Sequence, residues 1–140
     1  MKKHVLALFV AVVTIVLTVP ATAQVIVIAN PSVKATAVSV DELRDIFTGM
    51  ASSLKDGSRV TPVTLRGGAT HEIFLKAYTG KNETAFRATW RGLVFSGQAM
   101  MPKVFESEEE MVAYVARTPG ALGYVSKGVP TSGVRILSVR

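Results

Sequence analysis

Apolar and polar positions fall in blocks along the chain, and the period changes from block to block. The first block, Val5 to Val19, is apolar apart from Thr14 and Thr18 and ends at Pro20. Val25 to Ala29 is wholly apolar and rich in β-formers, the pattern of a strand covered on both faces, as in a parallel sheet. Asn30-Pro31 ends it. From Ser39 the period becomes helical, with Val40, Leu43, Ile46 and Phe47 on one face. Ser39 and Glu42 stand as a capping-box pair, and Gly49 supplies the left-handed stop. Asp56-Gly57 predicts a turn before a second strand, Val60–Leu65, in which Pro62 marks an edge or an early irregularity.

The pattern continues with Gly67-Gly68 opening a helix over Thr70 to Tyr78, its face made by Ile73, Phe74 and Ala77, and Gly80 closing it. Asn82 caps a further helix in which Phe86, Trp90, Leu93 and Val94 recur at helical spacing, and Gly97 ends that one. Val104-Phe105 predicts a short strand. Ser107 caps a helix whose first turn, Glu108 to Glu110, is acidic where the helix dipole favours negative charge. Met111, Val112 and Val115 point inward, Pro119-Gly120 stops the run, and Ala121–Ser126 and Val134–Val139 read as closing strands. Alternating strands and helices predict an α/β fold, a mostly parallel sheet flanked by helices.

The first block changes the picture of where the protein works. Lys2 and Lys3 precede the apolar run, and Ala21-Thr22-Ala23 follows the proline, so residues 1–23 read as a secretory signal cleaved near Ala23. The expectation is a periplasmic or secreted protein whose working part, residues 24–140, is a single domain. Removing Lys2 and Lys3 from the 16 Lys+Arg leaves 14 against 10 Asp+Glu, a net +4. That excess suits anionic small molecules; with no basic stripe and an exported chain, nucleic acid is not expected as a partner.

Candidate chemistry is sparse. With no cysteine and only His71 beyond the leader, Cys–His catalysis and a multi-histidine zinc site are excluded, and no G-x-S-x-G elbow occurs. Three adjacent carboxylates on a helix, Glu108 to Glu110, diverge by about 100° each and cannot converge on one ion. The Phe86, Trp90 and Leu93 stripe reads as core. The chain is therefore expected to be no enzyme, with no cofactor and no metal. One segment suggests a ligand: Arg66, Gly67, Gly68, Ala69, Thr70 and His71, lying between a predicted strand and a helix start. Glycines let the backbone approach a guest, early helical N–H groups lack partners, and the dipole there favours an anion. Arg66 offers a bidentate fork, and Thr70 a hydroxyl that caps the helix or bonds an oxyanion. A plain glycine turn with a Thr cap and a surface Arg accounts for the same residues. His71 either donates to an anion or lies in solvent, and solvent is the expectation.

Four segments, in order, resemble the phosphate-type periplasmic substrate-binding proteins of ABC transporters. Val27 to Pro31 is similar to the opening strand with its Asn-Pro, and Ser39 to Gly49 to the family's S-x-x-E-L-x-x-I-F-x-G helix. Thr70 to Phe74 lies where the family has T-R-E-x-F, and Pro119 to Val125 resembles P-G-A-I-G-Y-V. The resemblance implies one lobe of a periplasmic binding protein that holds a phosphate-like oxyanion. Two departures accompany it: family members close two lobes on the ligand whereas this chain has length for one, and the loop's Ser-Gly-Thr-Arg becomes Gly68-Ala69-Thr70-His71. Only Thr70 carries over directly, with Arg66 as a substitute for the lost arginine. Two functions follow as expectations: a binding module that holds the anion weakly or within a complex, or a ligand-free module docking on an ABC transporter or membrane sensor component. A homodimer would rebuild a two-sided cleft.

Overall fold

The computed structural model describes residues 11–15 and 25–140. The predicted leader lies outside the described residues except for 11–15, which form neither helix nor strand. Among the described residues, no helix is long and apolar enough to cross a membrane.

The chain runs β1 (Val25–Ala29), β2 (Ala37–Val38), α1 (Val40–Phe47), β3 (Thr61–Leu65), α2 (Ala69–Phe74), α3 (Glu83–Phe95), β4 (Lys103–Phe105), α4 (Glu108–Arg117), β5 (Ala121–Ser126) and β6 (Arg135–Val139). One π-helical turn, Leu75–Thr79, extends α2. The strands form one six-stranded sheet in the order β2-β6-β1-β5-β3-β4. Pairings β2–β6, β3–β4 and β3–β5 are parallel, and β1 is antiparallel to both β5 and β6. The sheet is therefore a mixed, mostly parallel one within an α/β fold. The apolar run of β1 was expected to sit among parallel strands; its neighbours are antiparallel. What the run reports is cover on both faces, and strand direction leaves no mark on it.

That cover comes from helices on opposite faces. On β5, Tyr124 points toward α1 and α2, its ring stacked on Phe74 with centroids 3.8 Å apart and Phe47 edge-on to both. Its neighbour Gly123 points toward α4. A Cβ there would lie 2.8 Å from Met111 Sδ and 3.1 Å from Val63 Cγ2, so only glycine lets this helix approach the sheet. Asn30, which the sequence marks only as the end of β1, is buried and donates to the carbonyls of Val115 and Ala116 at 2.8 and 3.1 Å. It thereby satisfies the last turn of α4, whose carbonyls have no helical partners.

Local expectations hold at the helix starts. Ser39 Oγ accepts from Glu42 N at 3.0 Å, and Glu42 Oε1 accepts from Ser39 N at 3.1 Å; Asn82 and Ser107 cap α3 and α4. Pro62 is an irregularity and no edge: it pairs with β5, while pairing with β4 begins one residue later at Val63. Val94 departs from the expected buried stripe of α3 and is exposed. Phe95, Met100, Met101 and Val104, near it in the sequence, are exposed as well.

Candidate functional site

β3 delivers the chain into the glycine segment at Leu65. Arg66 N still bonds the Phe105 carbonyl at 2.9 Å, so the strand's pairing with β4 persists one residue past its end. Gly68 then turns with φ +93°, a conformation closed to ordinary L-residues, and α2 starts at Ala69. Gly68 itself occupies the N-cap position, and no side chain bonds the helix start. Thr70, one of the two roles for which was capping, is in the second helical residue and does not cap. The start of α2 is therefore without a side-chain cap, and a groove opens beside it.

That groove is shallow, with Gly67, Gly68, Ala69 and Thr70 on one wall and Glu106, Ser107, Glu108 and Glu109 on the other. Two of these carboxylates are engaged. Glu106 pairs with Arg66, both largely exposed. Glu108 accepts from the Ser126 amide and hydroxyl. The structure thus brings together Arg66, both glycines, Ala69 and Thr70, and gives Arg66 a partner forty residues on that the sequence did not signal.

His71 is turned away from this groove, which corrects the expectation of a solvent-facing ring. It is 1 % exposed. Nδ1 meets the Tyr124 hydroxyl at 2.5 Å, and Nε2 meets the Glu83 carboxylate. The Tyr124 hydroxyl also accepts from Leu65 N at 3.0 Å. Glu83 holds Arg87 on its other oxygen, and Arg87 Nη2 lies 3.4 Å from the Arg66 carbonyl. Burial pushes the Tyr124 phenol far above its usual value. For Glu83, burial works upward, but the hydrogen bonds from Arg87 and His71 together with the Arg87 charge outweigh it and hold the carboxyl below its ordinary range. Spacing could have placed His71 inside, because it lies three and four residues before the buried Phe74 and Leu75.

Among the described residues no group of His, Cys, Asp or Glu side chains is arranged to hold a metal ion. A wider cleft, lined by Glu72, Lys76, Lys81, Asn82 and Thr84, opens where the π-turn meets α3, and it mixes charges of both signs.

No protein-family model matches the sequence, and no curated protein matches it. Solved structures do match the fold. An ABC-type phosphate transport receptor from Vibrio cholerae superposes with TM-score 0.62 at 15% identity, over 83% of this chain and 46% of that one. PstS from Borrelia burgdorferi superposes with TM-score 0.55 at 17% identity, over 84% of this chain and 47% of that one. The fold is that of a single lobe of such a receptor, and the chain spans less than half the length of either structure.

Proposed function

We propose that this chain is a non-catalytic, exported binding module that holds a small phosphate-like oxyanion on the Gly67–Thr70 loop, weakly as a lone lobe or more firmly within a complex. The observation that carries the reading is the uncapped start of α2 behind a glycine turn, with Arg66 beside it, in a fold shared with a phosphate transport receptor. Backbone amides at such a turn are acceptor-seeking and electropositive, and a small oxyanion presents acceptors in every direction. An open site lets water compete for each hydrogen bond, which then nets only about 1 kcal/mol. Affinity in the millimolar to high-micromolar range is expected of the isolated chain.

The leader at residues 1–23 belongs to the same reading, as the segment that exports residues 24–140 to the periplasm or beyond. An ABC transporter component is the natural partner, by analogy with the receptor from Vibrio cholerae. A second copy of the chain is the other means of closing a wall over the loop. Calorimetric titration of phosphate into the purified protein at low salt tests the site: saturable heat that Arg66→Ala reduces several-fold supports it. Heat unchanged by Arg66→Ala would place the anion elsewhere.

A further inference from the structure

The polar groups behind the glycine loop form a closed path around one peptide. It begins at the Leu65 amide, which donates to the Tyr124 hydroxyl at 3.0 Å. It continues from that hydroxyl to His71 Nδ1 at 2.5 Å, from Nε2 to Glu83, and from Glu83 to Arg87. It ends on the Arg66 carbonyl, 3.4 Å from Arg87 Nη2. Both ends are the groups flanking the Leu65–Arg66 bond, where β3 gives way to the glycines. The middle member, His71, stands in the first turn of the helix that follows them.

The path has a direction. The Tyr124 oxygen already accepts from Leu65, and His71 Nδ1 is the partner within reach of its hydroxyl proton. In the neutral ring Nδ1 is then bare and accepts, since the buried hydroxyl proton has no other acceptor, and the ring proton is on Nε2, where an acceptor-only carboxylate awaits it. We infer that His71 is a positioning residue, fixed as the Nε2–H tautomer, that locks the Arg66–Thr70 loop between β5 and α3 and never touches the ligand. The consequence for ligand affinity rests on the oxyanion reading; the proton's position does not.

Long-range nitrogen–proton NMR correlation on the labelled, full chain tests it. The expected spectrum has a protonated Nε2 and an unprotonated Nδ1 for His71, and a proton on Nδ1 overturns the inference. Tyr124→Phe keeps the stacked ring and removes the hydroxyl. It should weaken the tautomer preference and speed amide exchange at Gly67, Gly68 and Ala69 about five- to tenfold, the worth of one hydrogen bond. Faster exchange spread evenly over the whole sheet would mark a merely structural role and overturn the proposal. Glu83→Gln, on the more exposed side of the path, should give the same local effect if Tyr124→Phe does not fold. Phosphate affinity indifferent to Arg66→Ala, with tautomer and loop exchange as expected, would sink the oxyanion reading and leave His71 as the loop's clamp.

Discussion

The two sides of the glycine loop are held by ion pairs and hydrogen bonds of the same chemical kind and very different consequence. In front, Arg66 and Glu106 meet with side chains about two-thirds exposed. Behind, His71 at 2 % side-chain exposure joins Glu83 and Tyr124, whose ring is stacked on Phe74 with Phe47 edge-on to both. Water competes with the front pair at every moment, so it contributes little to stability. His71 and the Tyr124 hydroxyl have no such substitute, and losing either leaves the other buried and short of a partner. On the proposed reading, the rear sets the loop's shape while the front stays available for recognition.

The sharpest way to break this contrast is to delete one member from each side. His71→Ala opens a void and leaves the buried Tyr124 hydroxyl proton without its acceptor, so a loss of about 2–4 kcal/mol is expected in denaturant unfolding. Arg66→Ala should cost less than about 0.5 kcal/mol in the same experiment. Equal losses would mean that the rear groups are no better sheltered than the front pair.

Alkali separates the two sides more gently. The Tyr124 phenol is raised in the fold above its unfolded value near 10. Its contribution is complete below pH 10 and is lost as pH rises beyond it. Thermal unfolding followed from pH 8 to 11 should show a drop in stability that Tyr124→Phe diminishes. Acid acts on the rear side as well, and modestly. Glu83 is lowered in the fold from its ordinary 4.5, so its contribution is present above that pH and fades as pH falls through the folded value. With the side chain about one-third exposed, this amounts to less than about 1 kcal/mol, and Glu83→Gln should flatten the acid limb by that much.

Most of the fold was legible because it depends on local signals. Ser39 with Glu42, Asn82 and Ser107 start helices through hydrogen bonds reaching three residues along the chain, and a sequence displays such spacings directly. The ends of β5 could be read to the residue because a proline-glycine stop precedes a buried run. Strand direction around β1 was not legible, since burial on both faces gives one pattern for either direction. Nor were β2, which is two residues long, and the π-turn after Phe74. The loop itself was found from its glycines. Its wall of Glu106, Ser107 and Glu108, and the clamp through Tyr124, are separated from it by roughly 40 to 60 residues and leave no periodic trace. His71 was misplaced for a related reason: polarity suggested solvent, while its helical phase with Phe74 pointed inward.

Amide chemical shifts of the labelled protein, recorded as phosphate is added at low salt with sulfate as a parallel titrant, test the central claim most directly. Saturable movement of Gly67, Gly68, Ala69 and Thr70 is expected, with the His71 ring signals holding their pattern throughout. Saturable movement confined to Lys76, Lys81 and Thr84 in the wider cleft, or no movement at millimolar phosphate, would contradict it.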